Sequence, residues 1–182
     1  VWCNAYSEMT GKEPVYRNKN DNSVLRDSRH KGSTVSQSTA NDVEKLVIDD
    51  KAKIALYNGY RLPTETEWEY AARGGVPSNI GPWAYNWAGV ATEAEAENLS
   101  WNITNPIKKT RPVAEKPTNS AGLYDMNGNV YEWCFDDCYS GAQRVIRGGC
   151  YFDDITHCSV FYRNSSAPST NINRFGFRVV YR

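Results

Sequence analysis

Residues 144 to 182 contain no Lys, Glu, Gln, Met or Trp, although these five types make up roughly a fifth of the chain before them. Other absences narrow the function classes. Formal net charge is zero and the pI is near 6.9, so no global field draws the molecule toward nucleic acid or anionic lipid. No run approaches the ~18 apolar residues that span a bilayer as a helix. Only two His accompany five Cys (Cys3, Cys134, Cys138, Cys150, Cys158), and no two Cys form a CxxC pair, which argues against a structural zinc site. An initiator Met is missing as well. The opening Val1-Trp2-Cys3-Asn4-Ala5 starts within a helical pattern, so an N-terminal part, with any targeting segment, is expected to lie outside these residues.

What is present fits one α+β domain over 1–182, with short strands, few helices and much ordered loop. Residues 1–9 predict the end of a helix, stopped near Gly11 and Pro14. Residues 18–41 are polar and poor in anchors, which predicts a surface insertion. A helix is expected from Thr64, whose spacing to Glu67 is that of a capping box; Trp68, Ala71 and Ala72 share a face, and Gly74-Gly75 end it. Residues 76–120 show no sustained period and predict irregular structure pinned by Trp83, Trp87 and Trp101. A turn at Asn127-Gly128 leads into a strand or short hairpin over Val130–Trp133, and Phe175, Phe177 and Val179 alternate as in a strand with one buried face. There is no internal repeat.

Four segments in order, GYRLPTETEWEYAARGG (59–75), SAGLYDMNGNVYEWC (120–134), RVIRGG (144–149) and GFRVV (176–180), resemble the formylglycine-generating-enzyme (sulfatase-modifying factor) family, whose members share a C-type-lectin-like fold. The family's first strands have no counterpart here. Its enzymes hold copper with two thiolates in a segment resembling RGGS-x-x-C-x-x-x-x-C. On that pattern the second cysteine falls on Cys158 and the first on Asp153, and one thiolate with one hard carboxylate suits Cu(I) poorly. The resemblance therefore implies a noncatalytic member in which copper is not expected. Cys158 is then expected to be a buried thiol or a disulfide partner, with Cys134 as its mate. The family also implies calcium beside this chain's GNVYEW, held by the Asp125 and Glu132 side chains and the Gly128 and Val130 carbonyls. From the residues alone, Asp125 reads as a turn former and Glu132 as an exposed strand residue. A second calcium site would fall near Asn98 and Asn105.

The five types missing after residue 143 are those that codons ending in a pyrimidine cannot encode. Randomising the first two bases of an Asn codon ending in C gives the residue types of CYFDDITH and NSSAPSTNIN. This segment, between fixed RGG and GFRVV ends, resembles the variable region of diversity-generating retroelement proteins. A polar loop lacking long side chains by chance is the alternative. The resemblance implies a ligand surface over 150–173 made of Tyr151, Phe152, Asp153, Asp154, Ile155, Thr156, His157, Phe161, Tyr162, Ser165, Ser166, Ala167, Ser169, Thr170, Asn171 and Asn173. Core packing is the competing role for Tyr151, Phe161 and Tyr162, whereas Phe152 is expected to be exposed. His157 lacks a placed nucleophile or second base and reads as a surface contact. The expected function is capture of a macromolecular ligand, a protein, by a monomer, and the resemblance implies a place at the cell surface or outside the cell, as an outer-membrane lipoprotein through an anchor outside this chain. Nucleic acid is not an expected partner. The rival is a copper-dependent oxygenase that generates formylglycine or oxidises sulfur, using Cys158 and Cys150. A plainer option is an accessory domain with a degenerate site.

Overall fold

The computed structural model describes residues 2–17, 24, 57–75, 85–105, 107–138 and 143–181. The expected insertion at 18–41 lies outside the described residues except for Val24, which bridges Arg17; Trp83 lies outside them too. Two compact units are formed, one by 1–62 with 179–182 and one by 63–178.

In the first unit, helix α1 (Trp2–Met9) ends where expected, at Thr10 and a left-handed Gly11. The buried Ser7 hydroxyl donates to the Cys3 carbonyl (2.7 Å) and accepts from the Tyr60 amide (2.8 Å). Gly59 packs against Glu13 and Ser7 so closely that a Cβ there would collide with the Glu13 carbonyl. Arg61 and Val180 exchange backbone hydrogen bonds of 2.9 Å.

The second unit carries the site. Helix α2 (Glu65–Ala72) begins with the expected capping box: the Thr64 side chain accepts from the Glu67 amide and the Glu67 carboxylate from the Thr64 amide. Its stop is Gly74 and Gly75, both at positive φ. Trp68 is fully buried in a core with Ala72, Ala88, Met126, Cys134, Cys138, Val145 and Val160. Burial of the indole contributes on the order of 4 kcal/mol. Within the stretch expected to be irregular lies a second capped helix, α3 (Glu93–Leu99), opened by Thr92 and Glu95. Its Ala96 packs with Trp87, Ile155 and Cys158.

A four-stranded mixed sheet has the order β3-β2-β1-β4, with β1 at Tyr131–Cys138, β2 at Gln143–Arg147, β3 at Asn164–Ser166 and β4 at Phe175–Gly176. Strands β1 and β2 are antiparallel, with Glu132 opposite Arg147 and Trp133 opposite Ile146; β4 runs parallel to β1. The expected strand at GNVYEW is β1, longer than its alternation indicated. The closing segment departs from expectation. β4 spans two residues and Phe177 is 48% exposed, because the chain leaves the sheet after Gly176 and Arg178 turns to Glu132. Segment 150–173 thus starts after β2, forms β3 on one sheet edge and ends just before β4 on the other.

Candidate functional site

RGG is the hinge from which the variable-looking segment starts. Arg147 is buried, and its guanidinium donates to Glu69 (2.8 Å) and to the carbonyls of Val160 (2.6 Å), Tyr162 (2.9 Å) and Phe161 (3.3 Å). Glu65 lies 3.5 Å away on the same helix. One cation so placed ties α2 to the main chain of 160–162. Gly149, at φ 71°, lets residues 157–158 pack against it: a Cβ would lie 2.7 Å from Cys158 Sγ and 2.8 Å from the His157 carbonyl.

The rest of the segment is held mostly by its backbone. Tyr151 donates its amide to the Asn129 carbonyl (2.9 Å), the Asp153 carbonyl accepts from Ile103 (2.9 Å), Val160 donates to Asn86 (2.8 Å), and the Trp87 indole donates to the Ile155 carbonyl (2.8 Å). Such bonds do not depend on which side chains the segment carries. Trp87 is thus the loop anchor expected of it.

Two of the expected contact residues do not face solvent. Tyr151 is 6% exposed and Ile155 is 2% exposed, the second because it fills the space beside Trp87 and Ala96, so both belong to the scaffold. Asp153 is half-buried: its carboxylate accepts from the Cys150 amide (3.0 Å) and lies near the Tyr131 phenol. Burial is the main cause that pushes the Tyr131 phenol up. The remaining expected residues are exposed or half-exposed: Phe152, Asp154, Thr156, Phe161, Ser169, Asn171 and Asn173 are open, and His157, Tyr162, Ser165, Ser166, Ala167 and Thr170 are partly so. Phe152 is 49% exposed, as its position indicated, and the Arg174 guanidinium lies 5.1 Å from its ring. The His157 ring meets Tyr162 edge-on at 4.5 Å. Ser165 bonds Gln143 and Ser166 bonds Thr170. Sequence reasoning omitted Ile172, 41% exposed, and Arg174; the first shares the compositional signal of its neighbours, while the second became visible only through Phe152.

Asp154 organises one turn of this surface. Its Oδ1 accepts from the Thr156 amide (3.0 Å), the Thr156 hydroxyl (2.5 Å) and the His157 amide (3.3 Å), and lies 2.8 Å from His157 Nδ1. The Thr156 hydroxyl is the largest cause that holds the carboxyl down at about 2.

The cysteines do not pair. All five are buried free thiols, so of the two roles expected for Cys158 the buried thiol holds and the bridge to Cys134 does not. Cys134 packs with Trp68 and Val145, whereas Cys158 packs in a different cluster with Trp87 and Ile155. Burial pushes Cys150 and Cys158 each up to about 12, and pushes Cys134 up further. Among the described residues, no three His, Cys, Asp or Glu side chains converge as a metal cluster.

A second locus lies in a cavity of about 320 Å³, lined by all four residues expected around calcium, Asp125, Gly128, Val130 and Glu132. The three non-glycine residues at positive φ among those described, Ala114, Asp125 and Asn129, all line it, so backbone strain is concentrated there. Asp125 Oδ2 accepts from the Ala114 amide (2.9 Å), while Oδ1 is buried without a partner among the described residues. Glu132 is buried, not exposed as its alternation indicated. Its Oε2 accepts from the Trp68 indole and Arg178 Nε (2.7 Å each), and Oε1 from Arg178 Nη2 (2.7 Å). Coulombic attraction to Glu132 opposes the desolvation of Arg178, whose guanidinium stays charged. A carboxylate has about four lone-pair positions, so Oε1 keeps one. Carboxylate and carbonyl oxygens are the donor type a hard cation takes, and Asp125 Oδ1 is the one carboxylate oxygen here without a partner among the described residues. At the position expected for a second calcium, the Asn98 carbonyl accepts from the Lys116 ammonium (2.8 Å) and Asn105 Oδ1 from the Asn102 amide (2.6 Å).

A short-stranded mixed sheet, few helices and long ordered loops are features of a C-type-lectin-like domain, and solved structures of that kind superpose on this chain. The sulfatase-modifying factor enzyme 1-like domain matches residues 3–182, and the chain belongs to that family. Treponema denticola variable protein 1 is 31% identical, covers 98% of this chain and 66% of its own, and superposes with a TM-score of 0.75. CarF gives 28% identity, 99% and 63% coverage, and a TM-score of 0.77. The formylglycine-generating enzyme of Streptomyces coelicolor is 36% identical over 71% of this chain and 49% of its own length. The inactive C-alpha-formylglycine-generating enzyme 2 of Mus musculus is 29% identical over 81% and 51%. The chain thus spans about half the length of these curated relatives, one named as an enzyme and one as inactive.

Proposed function

We propose that this chain is a noncatalytic binding protein that captures a macromolecule, a protein, through the exposed side chains of 150–173, and that a retroelement diversifies those positions. The observation that carries the reading is how the segment is held. Arg147, Trp87, Asn129, Ile103 and Asn86 grip its main chain, so outward side chains can change at little cost to the fold. The likeness to a variable protein and the missing Lys, Glu, Gln, Met and Trp support it. Display at the cell surface, as a monomer with its anchor outside these residues, belongs to the same proposal. The test is the surrounding DNA. A near-copy of the stretch encoding 147–180, differing almost only at adenines and lying beside a reverse transcriptase, is expected; a locus with neither contradicts diversification.

A copper-dependent oxygenase is the alternative, favoured by the identity with the Streptomyces enzyme. It needs two thiolates on one open site, and Cys150 and Cys158 are buried thiols held near 12. Stoichiometric Cu(I) binding that is lost in Cys158→Ser would favour it over the binding protein.

Calcium in the 113–132 cavity is part of the proposal, supported by the unpartnered Asp125 Oδ1. Adding Ca²⁺ to chelator-treated protein is expected to raise Tm, with the rise lost in Asp125→Ala; an equal Tm with and without Ca²⁺ contradicts it.

A further inference from the structure

Within the segment read above as the recognition surface, the two adjacent aspartates have different jobs. Asp153 faces inward, to the Cys150 amide and the Tyr131 phenol. Asp154 is half in the turn and half out. Every hydrogen bond of its carboxylate ends on Oδ1, while its side chain is 56% exposed and Oδ2 has no partner among the described residues. Oδ1 therefore fixes the rotamer, and Oδ2 projects as an acceptor that need not be ordered when a ligand arrives. The neighbourhood adds a π face: His157, bonded to Asp154 through Nδ1 (2.8 Å), meets Tyr162 edge-on with ring centroids 4.5 Å apart. Two nearby cations are engaged elsewhere, Arg163 within the segment with Glu65 (2.8 Å) and Arg174 just after it over Phe152.

We propose that Asp154 Oδ2, flanked by His157 and Tyr162, is the preorganised contact for a basic side chain of a protein partner. A lysine or arginine head would make a charge-assisted hydrogen bond to Oδ2 while resting against the Tyr162 ring, an arrangement stronger for a cation than for a neutral group and repulsive to an acidic one. This rests on the reading of 150–173 as the recognition surface, and it adds the chemistry of what is recognised.

The probe is a bead-bound library of acetylated hexapeptides in three pools, with Arg or Lys, Asp or Glu, or Ala fixed at the centre and the other positions randomised. Labelled protein is tested as wild type, as Asp154→Asn, and as Phe152→Ala/Phe161→Ala. Asn keeps the Oδ1 acceptor and hence the turn's hydrogen bonds, so this variant is expected to fold, with a modestly lower unfolding midpoint because the turn favours the ionised carboxylate. The expected result is about tenfold preference of wild type for the basic pool over the acidic pool, abolished in Asp154→Asn, with overall capture reduced in the double Phe variant. Capture that falls in the Phe variant but shows no basic preference, or keeps it in Asp154→Asn, overturns the assignment of Asp154 and leaves the recognition surface standing. Capture that is absent, or indifferent to all three substitutions, overturns both.

Discussion

Replacing Gly149 by Ala is expected to cost far more than its single methyl implies, and the structure gives the size. At φ 71° a residue with a Cβ is in the left-handed region, which costs about 1–2 kcal/mol. The methyl would also lie 2.7 Å from Cys158 Sγ, 2.8 Å from the His157 carbonyl and 2.9 Å from Cys158 Cα. Two of these three atoms are backbone, so no side-chain rotation relieves the contact, and overpacking of this kind costs about 1–3 kcal/mol. The sum is roughly 2–5 kcal/mol, a large part of the ~5–15 kcal/mol that holds a domain together. Gly122→Ala supplies the control in the same unit: φ is 75° and no atom lies within 4 Å of the added Cβ, so only the ~1–2 kcal/mol of backbone strain applies. Urea unfolding followed by fluorescence reads both. With m near ~2 kcal/mol/M, Gly149→Ala is expected to lower the midpoint by about 1–2.5 M, and Gly122→Ala by less than half of that. Equal midpoints for the two variants would refute the claim that RGG serves as a contact point for the segment's return at 157–158.

Arg147→Met removes the buried donors that hold the carbonyls of 160–162 and leaves Glu69 with Arg73 alone among the described residues, so a loss of about 3 kcal/mol is expected by urea unfolding; a loss below about 1 kcal/mol would mean that the guanidinium is not what holds them. Asp154 titrates at about 2 when folded, below its ordinary 3.8. A depressed carboxyl stabilises fully above the unfolded value and loses that contribution as pH falls from about 4 toward 2, so the Asp154 carboxyl carbon shift in an NMR titration should move only near pH 2, and a midpoint near 4 would break the capped turn. Thiols near 12 are almost wholly protonated at pH 8. Cys150 and Cys158 should therefore resist alkylation until denaturant is added, whereas rapid native labelling of both would return the oxygenase reading to favour.

What could be read from the sequence was the local part. Thr64 and Glu67 announce α2 because a capping box needs only four residues. An equally local box, Thr92 with Glu95, went unread because it sits in a stretch whose Pro, Gly and Trp content pointed to loops. Glu132 was misjudged because alternation along a strand assigns faces, while its partners come from far away, Trp68 at a separation of 64 residues and Arg178 at 46. The same distance explains Phe177: Arg178 is drawn to Glu132 and the strand pattern ends early. Composition outlined 150–173 as one segment, yet it could not separate Ile155 and Tyr151, which pack inward, from Phe152 and Phe161, which do not. Nor could it tell Asp153 from Asp154, since only the fold decides which of two neighbours turns toward Tyr131. The cysteine bridge failed for a similar reason, as Cys134 and Cys158 are both buried but in separate clusters.

The central claim is that the scaffold holds the main chain of this segment and leaves its outward side chains free. It is tested most directly by randomising Phe152, Phe161, Ser169, Asn171, Ile172 and Asn173 together and measuring the protease resistance of the displayed library clone by clone. The account predicts that most clones unfold within about 1 kcal/mol of the parent, since exposed positions each contribute within about ±0.5 kcal/mol. A library in which most clones are unfolded would contradict it, because the segment would then be held by the very side chains said to be free.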